Sequence, residues 1–113
     1  MKAKAAIGAG TQALLRVAGR EAGELDAVRL CGGFASALDL GSAQAIGLLP
    51  RIAPERIAVC GNTSLAAAAL AAARPEVLDE FDPERFPCTE VQFNRLPFFE
   101  GLYTGNLLLA PQD

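Results

Sequence analysis

Two short segments of the chain share one pattern, and this pattern restricts the fold more than any other feature. Residues 28–34 read VRLCGGF and residues 58–63 read AVCGNT, so each apolar stretch ends at Cys-Gly and leads into a helical pattern. Strands that are joined through a helix are usually parallel, which predicts that both glycine turns lie at one edge of one sheet. The predicted fold class is therefore α/β, a small sheet with packed helices.

Hydrophobic periodicity and the positions of proline and glycine predict the remaining elements. We expect a core over residues 1–74, in the order helix, strand, helix, strand, helix, and a less regular C-terminal extension over 75–113. Residues 107–109 are expected to form either a buried strand or an apolar strip that packs against something else. The predicted helices are 3–19, 43–48, 64–74 and 97–103, and the predicted strands are 25–31, 56–60 and 88–93.

The first predicted helix contains two glycines, Gly8 and Gly10, at interior positions. Each glycine costs about 1 kcal/mol relative to alanine, so a neighbouring backbone is expected to pack closely there; a ligand against that face is the alternative. The apolar periodicity predicts one buried face, formed by Ile7, Thr11, Leu14, Leu15 and Ala18.

Charge and composition exclude several classes of function. The net charge is −3 and the isoelectric point is near 4.9, whereas nucleic-acid binding needs a basic patch. No apolar run approaches the roughly 20 residues of a membrane span, and the N-terminus does not resemble a signal peptide. The expectation is a cytoplasmic protein that binds neither nucleic acid nor membrane.

The residues needed for several common chemistries are missing from the sequence. The chain has no histidine, which excludes Ser-His and Cys-His triads, and no GxxxxGK[ST] segment, which excludes a P-loop. The acidic residues between 76 and 84 are expected to be solvated, with acid/base chemistry or Mg²⁺ binding as alternatives. No catalytic or metal-binding residue is therefore assigned.

The three cysteines, Cys31, Cys60 and Cys88, are far apart in sequence and form no CxxC pair. This spacing argues against a metal or cluster site. Buried, reduced side chains are expected, and a regulatory disulfide between Cys31 and Cys60 is the alternative.

The candidate binding site is the pair of glycine turns, Gly32-Gly33 and Gly61-Asn62. Adjacent glycines let the backbone approach a ligand with no Cβ in the way, and a helix that starts directly after the turn presents its N–H groups. Two such turns at one edge of a sheet suit an anion or a nucleotide. The alternative is a pair of turns that only connect elements.

Several segments together resemble one family, the reductive activators of corrinoid-dependent enzymes. The resemblance is to the last part of their C-terminal ATP-binding domain, which is similar to actin, sugar kinases and heat-shock chaperones and implies a ribonuclease H-like ATPase lobe. The segments are 3–10 (AKAAIGAG), 14–15 (LL), 30–34 (LCGGF), 46–50 (IGLLP), 54–57 (PERI) and 61–62 (GN) with the alanine-rich helix after it.

This resemblance implies a nucleotide site beside the first glycine turn. After Phe34 the chain has Ala35-Ser36 where the family usually has Gly-Asn, and after Asn62 it has Thr63-Ser64 where the family usually has small residues. The residues implied in cofactor binding are Gly32, Gly33, Phe34, Ser36, Gly61 and Asn62.

The resemblance also implies a role, a cofactor and partners. The cofactor would be ATP, bound as Mg-ATP, in an activator that restores Co(I) in a corrinoid protein of a methyltransferase system. An iron–sulfur cluster would belong to an N-terminal region that this chain lacks. The chain is accordingly expected to be a catalytically incomplete fragment, a single C-terminal subdomain of the ATPase, with a corrinoid protein and a second copy of itself as partners. A non-catalytic structural or interaction module, or a piece of another actin- or sugar-kinase-like ATPase, remains an alternative.

Overall fold

The computed structural model describes residues 2–33, 37–82 and 84–112, and in this part of the chain two strands form a parallel sheet. The predicted α/β class is confirmed. The strands are β1 (Val28–Cys31) and β2 (Ile57–Gly61). The α-helices are α1 (Lys2–Ala18), α2 (Leu40–Ala45), α3 (Thr63–Ala73) and α4 (Phe99–Gly105), and short 3₁₀ segments lie at Ala22–Glu24, Pro54–Arg56, Pro75–Glu80 and Phe93–Arg95.

The chain divides into two compact units that interleave along the sequence. Unit 1 comprises residues 1–28, 38–58 and 91–113, and unit 2 comprises residues 29–37 and 59–90. Unit 1 contains α1, α2 and α4, whereas unit 2 contains α3 and the carboxyl ends of both strands. The division into a core over 1–74 and an extension over 75–113 stays a prediction.

Helix α1 packs against α4 through its smallest side chains. Ala5, Ala9 and Ala13 are 0 % exposed, whereas Ile7 and Leu14 on another face are about half exposed. The predicted buried face is therefore wrong. Alanines and glycines spaced along one stripe allow a partner helix to approach closely, and this approach buries the stripe rather than the larger side chains.

Both interior glycines of α1 are closely packed, as expected, although the close neighbour includes backbone only at Gly8 and is a side chain at Gly10. A Cβ atom at Gly8 would overlap the side chain of Asn106 and lie 3.2 Å from the carbonyl oxygen of Gly47. A Cβ atom at Gly10 would lie 3.3 Å from the ring of Phe93. Close contacts with other residues of unit 1 therefore account for the presence of glycine at both positions.

A buried lysine joins the start of α1 to the end of α4. Lys4 Nζ donates to the carbonyl oxygens of Asn106 and Leu108, at 2.7 Å each. Asn106 is itself buried, and its Nδ2 donates to Gln12 Oε1 at 2.6 Å and to Leu102 O at 2.8 Å. These bonds satisfy carbonyls that a helix C-terminus leaves unpaired, and they attach the C-terminal segment to α1.

In the C-terminal segment the predicted strand over 88–93 is wrong, and of the two alternatives for residues 107–109 the buried strand is wrong. Residues 88–92 form no strand and lead into the 3₁₀ segment Phe93–Arg95. Leu107, Leu108 and Leu109 are exposed, and the N–H of Leu107 donates to Thr104 O. This helical bonding continues the last turn of α4, so these residues are not available for a sheet.

Helix α2 begins three residues earlier than predicted because Asp39 caps it. Asp39 Oδ1 accepts from the N–H of Gly41 at 3.1 Å, and Oδ2 accepts from Ser42 Oγ at 2.9 Å. After the helix, Gln44 Nε2 donates to the carbonyl oxygens of Pro50 and Ile52, which holds the following turn against α2.

The hydrogen bond from Ser42 Oγ, together with the backbone N–H groups of Ser42 and Gly41, holds the pKa of Asp39 below its ordinary value. Because the pKa of Asp39 is lower in the folded than in the unfolded state, its carboxylate stabilises the fold at a pH above the unfolded-state pKa. This stabilisation is lost as the pH falls through the folded-state pKa, below about 4. We expect the substitution Ser42→Ala to raise the pKa of Asp39 towards its ordinary value, as measured by NMR titration of the Asp39 carboxyl carbon. The same pKa in both proteins would contradict this assignment.

All three cysteines are exposed, so the prediction that they are buried is wrong. The N–H of Gly32 donates to Gly61 O at 2.8 Å, which aligns Cys31 with Gly61 and Cys60 with Leu30 in the parallel pair. Because side chains alternate along a strand, Cys31 and Cys60 point to opposite faces of the sheet. This register argues against the disulfide considered from the sequence.

The acidic side chains between 76 and 84 are exposed, as expected. Asp82 Oδ1 accepts from the N–H groups of Glu84 and Arg85, so it caps a turn. Across 2–33, 37–82 and 84–112, no cluster of three His, Cys, Asp or Glu side chains is arranged to hold a metal ion. No helix within the same ranges is both long enough and apolar enough to cross a membrane.

Candidate functional site

The two glycine turns lie side by side in unit 2, at the carboxyl ends of β1 and β2. The hydrogen bond from Gly32 N–H to Gly61 O joins them. Gly32 has φ +105° and Gly61 has φ +75°, a backbone region that residues with a Cβ rarely adopt. The backbone conformation at these two positions therefore requires glycine.

The turns are open on the side where a side chain would be. No described atom lies within 4 Å of a Cβ built at Gly32 or Gly61. A Cβ at Gly33 would meet only Asn62 Nδ2, at 3.7 Å, which is an ordinary contact. Gly33 also has no positive φ, so neither its conformation nor the described atoms around it require glycine. Open space beside the backbone is what a ligand that contacts main-chain atoms needs.

Asn62 connects the second turn to α3. Its Oδ1 accepts from the N–H of Leu65 at 3.1 Å, and its carbonyl oxygen accepts from the N–H of Ala66, so Asn62 is the N-cap of α3. Helix α3 has 11 residues, and the start of a helix carries a partial positive charge of about half an elementary charge. The edge therefore combines open glycine backbone with a positive helix end, an arrangement that suits an anionic or nucleotide ligand.

The comparison with protein families supplies the decisive observation. The model of the family described as the C-terminal domain of RACo, the ASKHA domain, matches residues 1–113. The chain belongs to this RACo C-terminal family. A search of the curated proteins gives no match.

The family assignment confirms the resemblance noted from the sequence. ASKHA domains generally bind ATP, and the resemblance implies that the nucleotide of this RACo-family chain lies beside the glycine turns. The structure brings together Gly32, Gly33, Gly61 and Asn62. Phe34 and Ser36 lie outside the described residues, and nucleotide contact by any of the six stays a prediction.

Sequence reasoning missed two polar features of this RACo-family chain, both in unit 1. One is Lys4, whose position in an alanine-rich helix gives no sign that it is buried. The other is a cleft lined by Arg16, Arg20 and Arg51. Arg16 lies in the last turn of α1 and Arg20 follows the end of that helix, but no sequence signal connects them with Arg51.

Proposed function

We propose that this chain forms the adenosine side of the ATP site in the ASKHA domain of a RACo-like activator. The observation that carries the proposal is the open pair of glycine turns joined by the Gly32–Gly61 hydrogen bond. The family assignment supports the binding of ATP in general terms, because ASKHA domains generally bind ATP.

In this proposal the glycine turns and the start of α3 have separate roles. The main chain of Gly32 and Gly33 contacts the nucleoside. Because glycine has no side chain, a flat group can lie directly against the backbone there. Asn62 holds the start of α3 in place behind it. The chain binds and orients the nucleotide, while the groups that contact the phosphates with Mg²⁺ and that hydrolyse ATP belong to another part of the ATPase.

The proposed activator would couple ATP to the reduction of a corrinoid protein. An iron–sulfur cluster in another region would supply the electron that converts Co(II) to Co(I), and this chain would contribute nucleotide binding. The corrinoid protein and a second copy of the activator are the proposed partners, and the cytoplasm is the proposed location.

The substitution Gly33→Val tests the nucleotide site with little effect on the fold. We expect valine to weaken Mg-ATP binding at least about tenfold, since it fills the space beside the backbone, while the free energy of unfolding changes by no more than about 1 kcal/mol. The measurement is an ¹⁵N NMR titration with Mg-ATP up to millimolar concentration, following the amides of Gly32, Gly33 and Gly61.

The matched control is Gly101→Val, at an exposed glycine of α4 where no described atom lies within 4 Å of the added Cβ. This variant should bind Mg-ATP like the unsubstituted chain. Equal affinity in the Gly33 and Gly101 variants would contradict the site. So would the absence of saturable shifts, both in the 113-residue chain and after it is joined to the rest of the activator.

A specific observation favours a second candidate, an interaction module without nucleotide binding. Helix α3 has no buried residue, and its Leu65 and Leu70 are 66 % and 49 % exposed. Exposed leucines on an alanine-rich helix are typical of a surface that packs against another protein or another domain. Equal Mg-ATP affinity of the Gly33 and Gly101 variants, or the absence of saturable shifts with Mg-ATP, would favour this candidate.

A further inference from the structure

An arginine-lined cleft in unit 1 has no role in the proposed nucleotide site. It lies between the C-terminal half of α1, the 3₁₀ segment Ala22–Glu24 and part of α4, and its volume is about 530 Å³. Sites for small molecules typically have volumes of about 300–1,000 Å³. We name it the arginine cleft after Arg16, Arg20 and Arg51.

The charge of the arginine cleft is opposite to that of the whole chain. Three arginines line it, and Glu21 is the one acidic residue among its lining residues, whereas the chain carries a net charge of −3. Positive groups converging on one cleft of an acidic chain attract small anions to that place.

The three arginines keep donors for a ligand. Arg20 pairs with Glu24 at 3.1 Å, but both side chains are well exposed, so this pair is weak. Arg51 is exposed and forms no ion pair or hydrogen bond with the described part of the chain. The guanidinium carbon of Arg16 lies 4.2 Å from the centre of the Phe98 ring, a cation–π contact that leaves the N–H groups able to donate to a ligand.

The rest of the lining combines apolar and polar side chains. Leu15, Ala22 and Leu102 contribute apolar surface. Gln112 is only 5 % exposed and is held by the bond from its Nε2 to the carbonyl oxygen of Gly47, at 2.8 Å. One wall is thus fixed before any ligand arrives, which reduces the entropy lost on binding.

We propose that the arginine cleft binds a small anion with a diphosphate or triphosphate group. The planar guanidinium group donates two parallel hydrogen bonds to phosphate oxygens, and three such groups match an ion with several negative charges. Inorganic pyrophosphate and the phosphate chain of a free nucleotide share this chemistry. The site uses different residues from the glycine turns, so it does not depend on the proposed function.

The test is a titration of the 113-residue chain with inorganic pyrophosphate at low salt, followed by NMR signals of the arginine Nε–H groups and of the amides of residues 21–23. We expect saturable shifts at these groups. The substitution Arg51→Gln should weaken binding at least about tenfold, because it removes a charged donor. Arg51→Lys, which keeps the charge but not the planar fork, should bind with intermediate affinity.

The matched control is Arg74→Gln, which removes an exposed arginine of unit 2 that pairs with Glu76 at 3.4 Å. This variant should bind pyrophosphate like the unsubstituted chain. Thermal unfolding should be unchanged in the Arg51 variants, because Arg51 forms no ion pair in the described residues.

Two further titrations separate this proposal from the nucleotide site. Adenosine should shift the amides of the glycine turns, Gly32, Gly33 and Gly61, and not the arginine cleft, whereas pyrophosphate should shift the arginine cleft and not the glycine turns. Pyrophosphate shifts without adenosine shifts would support the cleft and count against the proposed function. Equal weakening by Arg51→Gln and Arg74→Gln, or shifts that do not saturate, would overturn the cleft as a binding site.

Discussion

The substitution Gly47→Ala is expected to lower the free energy of unfolding by more than about 3 kcal/mol. Gly47 has φ +86°, and a residue with a Cβ is strained there by about 1–3 kcal/mol. The added Cβ would also overlap the carbonyl oxygen of Ala110 and lie 3.1 Å from Lys4 Nζ. Since the contacted atoms are backbone and a buried ammonium, the C-terminal segment must move. Urea denaturation followed by circular dichroism measures the loss.

A matched control separates the overlap from the backbone strain. Gly19 also has a positive φ, +68°, but no described atom lies within 4 Å of a Cβ built there. We expect Gly19→Ala to cost only the strain, about 1–2 kcal/mol. Equal losses in the two variants would show that the packing of residue 110 against Gly47 does not stabilise the fold.

The second large effect is expected at Lys4. Replacement by methionine keeps the length and apolar stem of the side chain but removes both hydrogen bonds from Nζ, to the carbonyl oxygens of Asn106 and Leu108. A buried carbonyl that loses a charged donor costs about 1–3 kcal/mol, so we expect a loss of more than about 2 kcal/mol. The measurement is the same denaturation experiment, combined with hydrogen exchange of the amides in α4.

Lys2 provides the control for this substitution, because it lies in the same helix but is exposed. The variant Lys2→Met should change the free energy of unfolding by no more than about 0.5 kcal/mol. Faster exchange in α4 is expected only for the Lys4 variant. If both variants had equal stability and equal exchange, the buried ammonium would have no structural role.

The glycine turns were predictable from local sequence. Each stretch of strand residues ends at Cys-Gly, and a capping residue follows before a helix, so the turn chemistry restricts the backbone within a few residues. The left-handed conformations of Gly32 and Gly61 and the capping of α3 by Asn62 agree with this prediction. The family assignment rested on the same segments taken in order along the chain.

The buried face of α1 was not predictable in the same way. Apolar periodicity selects Ile7 and Leu14, yet the structure buries Ala5, Ala9 and Ala13. The stripe that is buried depends on how closely α4 approaches, and that distance depends on residues about a hundred positions away. The predicted strand over 88–93 and the strand alternative for 107–109 failed for the same kind of reason, since a strand needs a partner and the described residues provide none there.

The sequence by itself determined the α/β class, the two open glycine turns and the membership of the RACo C-terminal family. These properties depend on φ preferences, capping and residue order, which act over a few neighbouring residues. Only the tertiary structure decided that Lys4 is buried against the end of α4 and that Arg51 joins Arg16 and Arg20 around one cleft. Such placements depend on which backbone groups remain unpaired after distant segments meet, and local sequence does not contain that information.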